Sequence, residues 1–210
     1  RTVESGLNIE VHTHFEFAFC GKIGLNLSKM LVYVETMQYL EDACNQRNIV
    51  GVVCPPELVN AIPAGIGIIV SFNPRASLNL IQSFIASNEG LQWKNFKTKI
   101  SKTAKIHKTA FIAEENVIIG DDVEIGPNTV VFSRSIVGAN CHIGSNCSIG
   151  CESFEPNAVD GSLKRFKQSG GVILGNGVTI FSNVCIVRAT YGGFPQIGNN
   201  SMIDNLTHIA

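Results

Sequence analysis

The chain holds 210 residues, 45% of them hydrophobic and only 16% charged, with a formal net charge of −1. That balance excludes a disordered polyelectrolyte and gives no global electrostatic drive toward nucleic acid. The length suits one or two domains with a buried core.

The opening "RTVESGLNIE" is charged and has no apolar run of the kind a signal peptide requires. The His12 to His14 run, "HTH", lacks the HExxH spacing of a zinc site. "KMLVYV", "IVGVVC" and "AGIGIIVSF" read as strands, and "TMQYLEDACNQRN" has helical spacing of its apolar residues. Pro74 after Asn73 is placed to open a second helix through Ser83. These elements predict a small α/β domain over residues 1–98. Its most apolar stretch, Ile49 to Val70, is interrupted by Pro55, Pro56, Glu57 and Pro63, so no membrane span is expected. Lys94, Lys97, Lys99, Lys102, Lys105 and Lys108 follow without an acid between Leu91 and Ala113. They read as a basic linker, either a solvated face or an electropositive rim.

From Ile119 an aliphatic residue recurs every six positions, at Ile119, Ile125, Val131, Val137, Ile143 and Ile149. Glycine follows at Gly120, Gly126, Gly138, Gly144 and Gly150. Four residues after the aliphatic comes a small or β-branched side chain: Val123, Thr129, Ser135, Cys141 and Cys147. Ile106 and Ile112 keep the spacing upstream, and it resumes at Leu174, Ile180, Ile186 and at Ile197, Ile203, Ile209. A 3.6-residue helical period would drift around the surface, and simple alternation would not place a glycine every sixth residue. A parallel β-helix accounts for both, with three hexapeptides to a coil and coils stacked at roughly 4.8 Å. Residues 99–210 are therefore expected to form this second domain. Glycine is expected at the corners, where it would relieve strain in the backbone. Cys141 and Cys147 are expected inside the prism. The spacing leaves the handedness open.

Two stretches break the phase: "CESFEPNAVDGSLKRFKQSGG", Cys151 to Gly171, and "TYGGFP", Thr190 to Pro195. Both are expected to protrude as loops. The first carries Lys164, Arg165 and Lys167, basic groups suited to a phosphorylated sugar. The seven cysteines form no Cys-x-x-Cys pair, which argues against a zinc ribbon. An odd number in a chain of this size fits reduced thiols and a cytoplasmic protein. His107, His142 and His208 lack the spacing of the ligand pair in β-helical carbonic anhydrases, so no metal is expected.

A small α/β domain ahead of a hexapeptide β-helix resembles the UDP-3-O-acylglucosamine N-acyltransferases of lipid A biosynthesis. The likeness is densest in "SFEPNAVDGSLKRFKQSGGVILGNGVTI", "QIGNNSMIDNLTHIA" and "KIHKTAFIAEENVIIGDDVEIGPNTVV". The resemblance implies a left-handed β-helix that transfers an acyl group from a carrier-protein thioester to the amine of a UDP-linked glucosamine. Two other readings stay open. One is an acyl-CoA-dependent N-acetyl or short-chain acyltransferase acting on a nucleotide-linked amino sugar. The other is a catalytically silent trimeric β-helix scaffold. No tightly bound cofactor is implied beyond the donor's phosphopantetheine arm, on acyl-carrier protein or coenzyme A. The small, apolar corner positions, with the resemblance, predict a homotrimer.

The family's uridine motif, Phe-x-x-Asn-x-x-Tyr, is matched by Tyr33-x-x-Thr36-x-x-Tyr39, in which two aromatics remain to sandwich a uracil. Thr36 lacks the two-sided amide of asparagine. Phe154, Lys164 and Gln196 complete the substrate-binding set that the resemblance implies. Asp204 and Asn205 match the polar pair that precedes the family's general-base histidine. That histidine is expected just beyond Ala210, with His208 as the fallback base, so the 210 residues alone are expected to be nearly inactive.

Overall fold

The computed structural model describes residues 9–88, 91, 93–155, 157–159 and 161–210. The charged opening residues 1–8, and positions 156 and 160 of the first excursion, lie outside them. The chain divides into two compact units, residues 1–92 with 155–169, and residues 93–154 with 170–210.

In the first unit β2 (Phe19–Gly21), β3 (Met30–Tyr33), β4 (Ile49–Cys54) and β5 (Gly67–Val70) run parallel, after an initial β1 (Glu10–Val11). The order is β1-β5-β4-β3-β2, with β1 antiparallel on β5. Met30, Leu31 and Val32 are all fully buried, as expected of a parallel sheet covered on both faces. Helix α1 (Met37–Cys44) follows β3 and buries Leu40 and Ala43 against Met30, Val32 and Val52. Helix α2 (Pro74–Ser87) packs on β3 and β4 and buries Ala76, Leu78 and Ile81. Its start is as expected, since Asn73 Oδ1 accepts the Ala76 N–H at 3.1 Å ahead of Pro74. It runs one turn beyond Ser83, to Ser87, whose hydroxyl donates to the Ser83 carbonyl at 2.8 Å.

The second unit is the left-handed parallel β-helix, with five coils and three faces. One face stacks Lys99–Ile100, Val117–Ile119, Ser135–Val137, Val172–Leu174 and Gln196–Ile197. The second stacks Lys105–Ile106, Glu124–Ile125, His142–Ile143, Thr179–Ile180 and Met202–Ile203. The third stacks Phe111–Ile112, Val130–Val131, Ser148–Cys151, Cys185–Val187 and His208–Ile209. Every step is parallel, and inward aliphatics register on one another: Ile106 on Ile125, Ile125 on Ile143, Ile143 on Ile180, Ile180 on Ile203. Ile125, Ile143, Ile149, Ile180 and Ile186 are at most 3% exposed, so each contributes on the order of 1.5–3 kcal/mol through burial. Cys141 and Cys147 are buried in the same core. Lys99 and Lys105 lie on the first coil, so the basic stretch is repeat rather than linker.

Except at Gly150, whose φ is +78, the glycines after the inward aliphatics serve a different purpose from the one expected. Left-handed backbone falls three residues after the inward aliphatic, on Asp122, Asn128, Arg134, Asn140 and Asn146. Asp and Asn adopt this conformation more readily than other side-chain-bearing residues. Glycine is needed one residue after the aliphatic because the next coil passes too close. A Cβ on Gly126 would sit 2.8 Å from the Gly144 carbonyl carbon and oxygen.

Neither excursion is a simple protruding loop. The first belongs to the α/β unit over residues 155–169, where Asn157–Val159 pairs antiparallel with Ser162–Lys164. There Gln82 of α2 donates to the Ser169 hydroxyl, and the Lys167 N–H donates to Ser83 Oγ at 3.0 Å. The second folds onto its own unit. Gly170 and Gly171 donate to the carbonyls of Ala189 and Gly193 at 3.2 and 3.1 Å, and Phe194 stacks on Trp93 with ring centroids 5.0 Å apart. Tyr191 is only 3% exposed as a result.

Candidate functional site

In the α/β unit the candidate residues gather at the carboxyl ends of the parallel strands, where open α/β sheets bind ligands. Tyr33 ends β3, and the chain then turns so that Thr36 caps α1, its hydroxyl accepting the Tyr39 N–H at 3.4 Å. Thr36 is therefore engaged as a helix cap. Tyr39, one turn into α1, is 52% exposed. Lys22 follows β2, and Arg75 lies in the first turn of α2. Both reach one carboxylate oxygen: Arg75 Nη2 stands 3.1 Å from Glu155 Oε1, and Lys22 Nζ 3.4 Å from it. Burial pushes the Tyr33 hydroxyl above its usual range, the Arg75 charge pulls it down, and Glu35, Glu155 and Tyr39 push it up. The structure thus brings Tyr33 and Tyr39 together with Arg75 and Glu155. Sequence reasoning missed Lys22, Arg75 and Glu155, whose association depends on pairing across 133 and 80 residues. Lys164 is exposed on the short hairpin of this unit.

In the β-helix the last coil carries the other candidates. Asn205 Oδ1 accepts the Ser182 N–H at 2.9 Å, while the Asn205 backbone and side-chain N–H groups donate to Asp204 Oδ1 at 2.8 and 3.0 Å. The Thr207 hydroxyl donates to the Asp204 carbonyl at 2.8 Å. The same kind of bond is made at another corner, where Asn199 Oδ1 of the last coil accepts the Asn176 N–H and Asn176 Oδ1 accepts the Ala139 N–H. At its own corner Asn205 stands above Ser182, whose hydroxyl is 2.9 Å from that of Ser145, so it is a single asparagine tie over a pair of serines. His208 points outward and registers on Cys185 of the coil before. Gln196, also outward, registers on Ile173, and Phe154 is 92% exposed. Among the described residues no group of three or more His, Cys, Asp or Glu side chains is placed to hold a metal ion. No helix among them is long and apolar enough to cross a membrane.

No family model matches the chain. A stretch of 43 residues is 51% identical to UDP-3-O-acylglucosamine N-acyltransferase of Caulobacter sp. (strain K31). That stretch covers 20% of this chain and 12% of the relative's length. Among solved structures, a mutant of GDP-perosamine N-acetyltransferase from Caulobacter crescentus, in complex with CoA and GDP-perosamine, aligns at 13% identity and a TM-score of 0.22. The alignment covers 85% of this chain and 90% of that one. PerB from Caulobacter crescentus, with the same two ligands, aligns over 86% and 90% at 12% identity and a TM-score of 0.20. At such scores the superpositions carry no argument, and the architecture rests on the strand pairing itself.

Proposed function

We propose that this chain belongs to an N-acyltransferase that moves an acyl group from a phosphopantetheine thioester to the amine of a nucleotide-linked amino sugar. One observation carries the reading: the 43-residue stretch of 51% identity to a UDP-3-O-acylglucosamine N-acyltransferase occurs in a chain built of hexapeptide coils. The finer version of the reading takes UDP-linked glucosamine as acceptor and acyl-carrier protein as donor. Coenzyme A carries the same pantetheine arm, and an acyl-CoA enzyme with a different nucleotide sugar is the alternative that the test must separate.

In this reading Tyr33 and Tyr39 stack on the base at the carboxyl edge of the sheet. Lys22 and Arg75, which both reach the Glu155 carboxylate, are the cations proposed to meet the diphosphate. Phe154, Lys164 and Gln196 are retained as further substrate contacts. In the chemical step a general base takes the amine proton as nitrogen attacks the thioester carbonyl. The tetrahedral oxyanion is stabilised by backbone N–H donors and collapses with loss of the thiolate. His208, outward on the last coil, is the fallback for that base, and Asp204 and Asn205 are the polar pair that precedes it by four and three residues. The active form is proposed to be a cytoplasmic homotrimer.

The test crosses two acceptors with two donors. Full-length protein is incubated with a UDP-linked or GDP-linked amino sugar and with acyl-CoA or acyl-carrier protein, and products are read by mass spectrometry. An N-acylated sugar is expected from at least one pair, and that pair names the acceptor and donor. Absence of product from all four, with no nucleotide-sugar binding by calorimetry, would leave the scaffold reading in place. A monomeric mass by light scattering at micromolar concentration would remove the trimer.

A further inference from the structure

Four of the seven cysteines, Cys20, Cys54, Cys141 and Cys147, are buried, whereas Cys44, Cys151 and Cys185 are partly exposed. Two of those three meet. Cys185 opens a strand of the fourth coil, with its side chain outward from the neighbouring inward Ile186. Cys151 ends the strand below it. There Gly150, at φ +78, inserts one residue between Ile149 and Cys151 and shifts the register against Ile186 and Val187. This bulge carries Cys151 out of the alternation that would otherwise turn it inward, a usual effect of bulges. The two sulfurs stand 3.3 Å apart. The position of Cys151 is held firmly: the Arg188 N–H donates to its carbonyl at 2.8 Å, and Arg188 Nε donates to the Gly150 carbonyl at 2.8 Å.

We propose that Cys151 and Cys185 form a redox-active dithiol, which a hydroperoxide oxidises to a disulfide joining the third coil to the fourth. A disulfide needs about 2.05 Å between sulfurs, so the pair must close by about 1.3 Å. Burial, then the neighbouring sulfur, push the Cys151 thiol up, which suits it to the resolving role. In the first step the Cys185 sulfur takes an oxygen from the hydroperoxide, giving Cys185 sulfenic acid and an alcohol or water. In the second the Cys151 sulfur displaces hydroxide from that sulfenic acid, and its thiol proton leaves with the hydroxide as water. Two thiols are oxidised and one peroxide is reduced. The bond would close the root of the excursion that leaves the coil directly after Cys151, linking residues 34 apart.

The test uses full-length protein, prepared in reductant, desalted and exposed to hydrogen peroxide. It is then alkylated and digested without reduction. The expected result is a cross-linked peptide pair holding Cys151 and Cys185, released by dithiothreitol, with the four buried cysteines unmodified. Cys151→Ser should lose the cross-link and leave a Cys185 sulfenic acid that dimedone traps. The oxidised parent should melt several degrees higher than the reduced one, since a cross-link restricts the unfolded chain. Recovery of both cysteines alkylated, at a peroxide concentration that oxidises Cys44, would overturn the proposal. So would a disulfide from either to another cysteine, or oxidation of Cys185 to sulfinic acid without cross-linking. The peptide map of the unmutated protein decides the matter even if the serine variant fails to fold.

Discussion

Asn205 binds the coil before it, its side-chain oxygen accepting the Ser182 N–H at 2.9 Å, and so serves as a corner tie as well as a candidate site residue. Removing the amide should therefore register first in stability. Asn205→Ala is expected to cost about 0.5–1.5 kcal/mol, the net worth of one such hydrogen bond. Asn205→Asp keeps the acceptor and should cost less. Urea unfolding of the three proteins measures the difference, and equal losses in both variants would show that the tie is not the acceptor bond.

The glycines that follow the inward aliphatics should be intolerant where another coil lies against them and tolerant elsewhere. Gly126→Ala drives a methyl into the Gly144 backbone and should cost roughly 1–3 kcal/mol. Gly198→Ala meets nothing nearer than Ser201 Oγ at 3.8 Å and should be close to neutral. Comparable denaturation midpoints for the two would refute the close-approach explanation.

Tyr33→Ala should weaken UDP-sugar binding by roughly 0.5–1.5 kcal/mol beyond the area lost, the worth of one stacking face. Calorimetry on the full-length protein provides the check. Unchanged affinity would place the nucleotide somewhere other than the carboxyl edge of the sheet.

Lys105 and Glu124 pair at 2.8 Å across two coils, and His142 stands 3.5 Å from the other Glu124 oxygen. The Lys105 hydrogen bond, then its charge, hold Glu124 below its ordinary 4.5, and the same contacts raise Lys105 above 10.5. A lowered carboxylate contributes stability above its unfolded pKa and loses it as pH falls through the folded value. A raised amine contributes below its unfolded pKa and loses it as pH rises through the folded one. The pair should therefore help from about pH 4.5 to 10.5 and lose its effect in acid. Both groups are exposed, so the contribution is small and salt-screened. Thermal melts of the parent and Lys105→Met at pH 3 and pH 7 should converge at the lower pH. A gap that widens in acid would reverse the assigned sign.

The inward residues were legible from spacing alone, because a hexapeptide strand alternates its side chains and Ile119, Ile125, Val131, Val137, Ile143 and Ile149 keep one phase. The α/β elements were legible for similar local reasons: Asn73 and Pro74 open a helix, and the Val/Ile runs cannot remain in water. What spacing could not supply was anything set by the approach of distant chain. Gly126 is required by Gly144 of another coil, and Glu155 finds Lys22 and Arg75 across 133 and 80 residues. Cys151 faces Cys185 only because Gly150 bulges the strand between. Periodicity records which way each side chain points relative to its own strand. Which neighbour it meets there depends on how coils stack and where the excursions return, and that was decided by the tertiary structure.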